Sequence, residues 1–166
     1  GGLFETGAGG SAPKHVQQLV EENYLRWDSL GEFLALAESL RHLARRDDNG
    51  RAGVLADALD RATETLLNEG KSPQRKLGSV DNRGSHFYLA LYWAGEVARQ
   101  TEDPDLAAEY ADLAMALEGG REAIDAELLE VQRAAADIGG YYRPDPAKIA
   151  RVMRPSATLN GIIDSL

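Results

Sequence analysis

Apolar residues recur at helical spacing through most of this chain, and that periodicity limits the possible folds more than any other feature. The spacing i, i+3, i+4, i+7 places side chains on one face of a helix. A first stripe contains Leu30, Phe33, Leu34, Ala37, Leu40 and Leu43. A second stripe runs from Val54 to Leu66, and residues 87–98 are apolar on almost every side, as in a buried central helix. We therefore predict a mainly α, multi-helix domain.

Local signals predict where several of these helices begin and end. Ser29 with Glu32 fits a capping box, and Asp103 followed by Pro104 is a typical helix start. Gly70 is predicted to end the second helix. Each of these signals acts within a few residues, so they fix boundaries rather than packing.

The remaining segments are predicted from glycine, proline and polar residues. Residues 70–85 are polar and contain glycine, which predicts a loop. The pair Gly119-Gly120 is predicted to break the helix that starts after Asp103. Residues 137–146 are predicted to form a turn region, followed by short helices near 147–153 and 156–165.

Size, charge and cysteine content exclude several kinds of function. The chain has 166 residues, enough for one domain with a real core. Its formal net charge is −9, which argues against general affinity for DNA, RNA or an anionic membrane surface. There is no cysteine, which fits a cytoplasmic protein, and no apolar run approaches the length of a membrane span. Any anionic ligand must therefore meet a local basic cluster.

The first 28 residues carry a candidate for that cluster. A short apolar stretch predicts a strand stub at residues 2–5, and three glycines follow within residues 7–10. Ser11, Lys14 and His15 come where a helix over 13–22 is predicted to begin. Free N–H groups and the helix dipole make a helix N-terminus an anion site. The segment therefore predicts a nucleotide-phosphate loop, although it has neither the P-loop pattern nor a complete G-x-G-x-x-G.

Two arginines extend the basic set, and the residues alone leave their role open. Arg26 follows the first helix, and Arg75 lies in the predicted loop between two lysines. Arginine suits phosphate because its guanidinium can donate two parallel hydrogen bonds. The alternative is that Arg26 and Arg75 are ordinary solvated surface charges. The three histidines lack the spacing of a zinc site, and no nucleophile motif is present.

The same segments, with others along the chain, resemble one enzyme family closely. The motifs are FETG at 4–7, GSAPKH at 10–15, QQLVEEN at 17–23, LRWDSLGEF at 25–33, DNRGS at 81–85, FYLALYWA at 87–94, DIGGYY at 137–142 and MRPSAT at 153–158. They resemble NADP-dependent isocitrate dehydrogenase of the monomeric bacterial type, across essentially the whole chain. The chain lacks an initiator Met, and the family is much longer, so we expect a C-terminal piece of a longer polypeptide.

The resemblance implies a role in coenzyme binding. Carried over by position, Ser11 and His15 would contact NADP, and His15, Arg26 and Arg75 would hold its 2′-phosphate. Asp28 would lie beside the adenosine end. On this basis residues 1–28 form the coenzyme-phosphate loop and helix, and residues 29–166 form the helical body of a single C-terminal region. The implied parent has an isocitrate/isopropylmalate dehydrogenase-like α/β fold.

The resemblance also implies what the chain lacks. The family converts isocitrate and NADP to 2-oxoglutarate with Mg²⁺ or Mn²⁺, but its metal ligands, its isocitrate-binding residues and its catalytic lysine and tyrosine match nothing here. We therefore expect the metal and isocitrate to bind the rest of a monomeric parent, and the isolated chain to be inactive. The alternative is a non-catalytic helical module for interaction or self-association, derived from that enzyme.

Overall fold

The computed structural model describes residues 8–166, with side chains from Ala12 onward. The predicted strand stub at 2–5 and Gly7 lie outside the described residues. Within them there are seven helices and no strand: α1 Ala8–Glu22, α2 Leu30–Asp47, α3 Gly50–Asn68, α4 Asn82–Arg99, α5 Pro104–Glu130, α6 Pro146–Met153 and α7 Ala157–Asp164. The prediction of a mainly α fold is therefore confirmed for this part of the chain.

Helices α2 to α5 pack against one another in chain order, and α7 packs on α5. The main core lies between α3, α4 and α5 and contains, among others, Leu59, Leu66, Phe87, Leu91, Leu117, Ile124 and Leu128. A smaller cluster of Ala58, Val97 and Leu106 continues it toward the start of α5. The apolar surface of α4 is thus covered on several sides, as predicted for a central helix. None of the described helices is both long and apolar enough to cross a membrane.

Several predicted boundaries are confirmed. The Asp103 carboxylate accepts a hydrogen bond from the Leu106 N–H at 2.9 Å, with Pro104 in the first turn of α5. Gly70 has a φ of +64°, the left-handed conformation expected just after the end of α3. The turn at 137–146 and the two short helices after it also lie close to their predicted positions.

The predicted break at Gly119-Gly120 is wrong, because α5 is a continuous helix of 27 residues that includes both glycines. At Gly120 an added Cβ would lie 3.1 Å from Ile124 Cδ1 and 3.2 Å from Thr158 Cγ2. Gly120 therefore allows α7 to approach the backbone of α5 closely. A packing requirement, and not a helix end, explains this glycine.

Two predictions about helix starts are also wrong. α4 begins at Asn82, so residues 82–85 belong to a buried helical turn and not to the end of a polar loop. α1 begins at Ala8, so the last residues of the predicted glycine loop are helical. Glycine adopts helical dihedrals without steric hindrance, which permits this extension.

Candidate anion-binding site

The side of α1 and the connection after it form an open groove with a basic end. The groove has a volume of about 460 Å³ and is lined by Lys14, His15, Gln17, Gln18, Glu21, Glu22 and Arg26. Because α1 begins at Ala8, Lys14 and His15 lie beyond its first turn. They therefore present side chains from the flank of the helix, which corrects the prediction that they stand at its N-terminal end.

His15 and Arg26 lie close enough to influence each other. The pKa of His15 is lowered, first because the imidazole is partly buried and second because the Arg26 guanidinium repels a further positive charge. The His15 and Trp27 rings also lie in a T-shaped arrangement, with centroids 5.4 Å apart. A neighbouring anion would counter this repulsion and favour the charged imidazole.

The carboxylates of the groove are held by neighbouring side chains. Gln17 donates to Glu21 at 2.8 Å, and Gln18 donates to Glu22 at 2.9 Å, each pair one helical turn apart. These carboxylates would repel a phosphate placed beside them. The end of the groove that suits an anion is therefore the one formed by Lys14, His15 and Arg26.

Arg26 lies on a connection that is firmly joined to the start of α4. The Leu25 carbonyl accepts from the Asn82 N–H at 2.7 Å, and the Leu25 N–H donates to Asp81 Oδ2 at 3.3 Å. On the other side of Arg26, the Trp27 carbonyl accepts from Asn82 Nδ2 at 2.7 Å. The backbone that carries Arg26 is therefore fixed on both sides, while its side chain stays exposed.

Sequence reasoning missed the buried polar cluster behind this connection. Arg83 is 5% exposed and Asp81 is 1% exposed, and their side chains form an ion pair with an Nη2–Oδ2 distance of 2.7 Å. Arg83 also donates to Asn23 Oδ1, the Asn23 carbonyl and the Val152 carbonyl. Asp81 accepts from the Gly84 N–H as the N-cap of α4. Aspartate is a preferred N-cap residue, so Asp81 itself was the available signal for a helix that begins at Asn82.

Ser29 is the N-cap residue of α2, as predicted, but its side chain does not form the predicted capping box, and Asp28 binds the first turn in its place. The Asp28 carboxylate accepts from the Leu30 N–H at 3.0 Å at the start of α2. Ser29 makes no capping bond, since its buried hydroxyl accepts from Asn82 Nδ2 at 3.0 Å. Asp28 therefore has a structural role, and its exposed carboxylate lies two residues after Arg26 on the same connection.

Arg75 lies on the exposed loop before α4. Its guanidinium has no hydrogen-bond or ion-pair partner among the described residues. The base of its loop is closed by a hydrogen bond from the Gln74 N–H to the Val80 carbonyl at 2.8 Å. The Tyr24 hydroxyl lies 2.7 Å from the Gln74 carbonyl, which links this loop to the connection that carries Arg26.

The five predicted site residues thus lie in different parts of the structure, and only some of them are brought together. The structure brings His15 and Arg26 to one groove and places Asp28 nearby along the connection. It joins the segments of Arg26 and Arg75 through the hydrogen bond from the Tyr24 hydroxyl to the Gln74 carbonyl. Ser11 lies in the first turn of α1, and its side chain is outside the described residues.

Comparison with known proteins identifies the family. The family model for monomeric isocitrate dehydrogenase matches residues 1–164. Over 166 residues the chain is 66% identical to isocitrate dehydrogenase (NADP) of Corynebacterium glutamicum and 57% identical to that of Azotobacter vinelandii. It is 55% identical to isocitrate dehydrogenase (NADP) 2 of Mycobacterium tuberculosis.

Each of these matches covers 100% of this chain but only 22% of the relative. The resemblance found in the sequence motifs is therefore confirmed over the whole chain, and the chain corresponds to a fragment of those relatives. It belongs to the monomeric isocitrate dehydrogenase family.

Proposed function

We propose that this chain supplies the adenosine-phosphate half of an NADP site in an isocitrate dehydrogenase, as its C-terminal portion. The observation that carries the proposal is the groove at which Lys14, His15 and Arg26 converge in a chain of net charge −9. A basic site in an otherwise acidic protein suits a small anion better than a polyanion, which would meet repulsion beyond the groove.

The proposed role of the basic residues is to distinguish NADP from NAD. The two coenzymes differ by the 2′-phosphate, which carries nearly two negative charges at neutral pH. In this proposal, charge-assisted hydrogen bonds from His15, Arg26 and Arg75 stabilise bound NADP. NAD would leave the same cations without a partner, so its binding would lack the stabilisation that these hydrogen bonds provide. Ser11 would contact the coenzyme, and Asp28 would lie beside its adenosine end.

The rest of the reaction is assigned to parts of the polypeptide outside this chain. Among the described residues, no group of three His, Asp or Glu side chains could hold a metal ion. In this proposal the Mg²⁺ or Mn²⁺ that the family resemblance implies, together with isocitrate, would bind elsewhere in a monomeric, cytoplasmic parent. In that case the isolated chain neither oxidises nor decarboxylates isocitrate.

Replacement of Arg75 by alanine in the full-length enzyme tests this proposal. We expect the KM for NADP to rise roughly 10- to 100-fold, because a hydrogen bond to a charged group contributes about 1.5–3 kcal/mol. The kcat with NADP and the KM for NAD should change much less. Arg45→Ala, which removes an exposed arginine from the last turn of α2, is the control for loss of charge. An unchanged ratio of NADP to NAD specificity would exclude Arg75 from phosphate recognition.

A second candidate is suggested by apolar surface left open in the described part of the chain. Between α1 and residues 135–141 lies a cleft of about 670 Å³, lined mostly by apolar side chains such as Val16, Val20 and Ile138. Met115 is 65% exposed on α5. Such surface favours contact with further polypeptide or with a second copy. Light scattering of the isolated chain measures its self-association. A monomer at high concentration would rule out contact with a second copy.

A further inference from the structure

One buried tyrosine lies between the two segments that carry the proposed phosphate-binding arginines. Tyr24 is 0% exposed and sits two residues before Arg26 in the chain. Its hydroxyl lies 2.7 Å from the Gln74 carbonyl and 3.1 Å from the Val80 carbonyl. These two carbonyls belong to the ends of the loop that contains Arg75.

The Gln74 carbonyl has a direct geometric relation to Arg75. It belongs to the peptide unit that joins Gln74 to Arg75, and that unit is planar. A hydrogen bond that fixes this oxygen therefore fixes the direction in which the backbone enters Arg75. Since the Arg75 side chain is exposed and has no partner among the described residues, the backbone is what determines where its guanidinium can reach.

The other long-range hydrogen bonds of the connection reach a different place. Those of Asn23, Leu25 and Trp27 go to residues 81–83 at the start of α4. At the far end of the loop, Gln132 accepts from the Gly78 N–H at 2.7 Å and donates to the Ser79 carbonyl at 2.9 Å. Among the described residues, the hydroxyl of Tyr24 is thus the group of this connection that contacts the loop at the residue before Arg75.

The Tyr24 hydroxyl remains a donor over the working pH range of the protein. Burial, together with the charge of Asp81, raises its pKa to about 12, against a smaller opposing effect of Arg26. A phenol that stays protonated can donate to a carbonyl without interruption.

We propose that Tyr24 is a positioning residue that holds Arg75 at a fixed spacing from Arg26, and that this spacing determines the preference for a 2′-phosphorylated coenzyme. The inference rests on the proposed function, since it requires both arginines to meet the same phosphate. Phosphate binding needs N–O distances of about 2.7–2.9 Å at each guanidinium. A loop free to shift would lose one arginine while the other stayed in place.

The test is Tyr24→Phe in the full-length enzyme, which removes the hydroxyl and keeps the ring that fills the core. We expect the KM for NADP to rise about 3- to 10-fold, as for the loss of one hydrogen bond. The kcat, the KM for isocitrate and the KM for NAD should stay within about twofold of the parent values. A purely structural role would instead affect both coenzymes alike.

Tyr92→Phe is the matched control, because the buried Tyr92 hydroxyl has no hydrogen-bond partner among the described residues. It should leave the preference between the coenzymes unchanged. The double variant Tyr24→Phe with Arg75→Ala adds a second readout. If Tyr24 acts through Arg75, its replacement has no further effect on the KM for NADP once Arg75 is absent.

The outcomes separate this inference from the proposed function. If Arg75→Ala weakens NADP binding but Tyr24→Phe does not, the positioning role is overturned and the phosphate site stands. If Arg75→Ala itself has no effect, the proposed function fails first. A Tyr24→Phe variant that did not fold, judged by circular dichroism, would also overturn the inference, because the fold and not the loop would then require the hydroxyl.

Discussion

At the scale of single residues, His15 is the group in the groove whose charge changes nearest to neutral pH. Its pKa lies below the ordinary value of 6.5, because of partial burial and then the charge of Arg26. The free protein therefore holds a mainly neutral imidazole at neutral pH. A bound phosphate dianion favours the protonated form, so binding should take up a proton and weaken as pH rises through this titration.

This behaviour predicts how pH affects a His15→Gln variant. The phosphate itself titrates near pH 6 and binds better once doubly charged, so the two effects oppose each other. The ratio of Kd values for 2′,5′-ADP, variant over parent, removes the contribution of the ligand. We expect that ratio to approach roughly tenfold below the pKa of His15 and to fall toward one as pH rises. Calorimetry from pH 5 to 9 measures it, and a ratio independent of pH would show that His15 does not meet the phosphate.

At the scale of elements, α7 is attached to α5 by a polar contact and a close approach of backbones. The Glu127 carboxylate accepts from the Ser156 hydroxyl at 2.5 Å, the Thr158 hydroxyl at 2.8 Å and the Thr158 N–H at 3.1 Å. A Cβ added at Gly120 would lie 3.2 Å from Thr158 Cγ2, so the backbone of α5 lies close to the start of α7. The hydrogen bonds from Ser156 and Thr158 lower the pKa of Glu127 below its ordinary value of 4.5.

We expect Glu127→Ala to release α7 while α2 to α4 stay folded, because three hydrogen bonds to one carboxylate are lost at once. Hydrogen exchange of the amides in 157–164 should accelerate strongly, and exchange in α3 should not. Glu130→Ala, at the exposed end of the same helix, is the control. The lowered pKa means that this contribution is present above pH 4.5 and is lost as pH falls further. Protection of α7 that survived the substitution would show that apolar packing alone holds it.

Elements also show which features the sequence could predict. The Asp103-Pro104 start and the end at Gly70 were predictable because cap and turn signals act over a few residues. The role of Gly120 and the capture of the Ser29 hydroxyl by Asn82 were not, because each depends on a segment distant in the chain. The burial of Asp81 and Arg83 could not be predicted for the same reason. Without their distant partners, these two residues are typical of a polar loop.

The candidate site divides along the same line. His15 lies on α1 and Arg26 lies shortly after the end of that helix, so their proximity follows from a short stretch of sequence. The link to Arg75 needed the contact between Tyr24 and Gln74, which are 50 residues apart. The joint action of His15, Arg26 and Arg75 on one phosphate stays a prediction.

At the scale of the whole molecule, the polar cluster of Asn23, Asp81, Asn82 and Arg83 joins α1, the loop of Arg75 and the helical body. Arg83 extends this junction to the C-terminal region through the Val152 carbonyl at 2.7 Å. α1 is further held by hydrogen bonds from the Arg133 and Ala136 N–H groups to the Glu22 and Val20 carbonyls. Several hydrogen bonds at this junction thus hold the basic groove against the helical body.

The central claim is that this groove selects a 2′-phosphate, and one titration tests it most directly. Full-length protein containing this chain is titrated calorimetrically with 2′,5′-ADP and, in parallel, with 5′-AMP, which lacks the 2′-phosphate. The account predicts that 2′,5′-ADP binds at least about tenfold more tightly, and that Arg26→Ala removes most of the difference. Equal affinity for the two nucleotides, with no effect of Arg26→Ala, would contradict it.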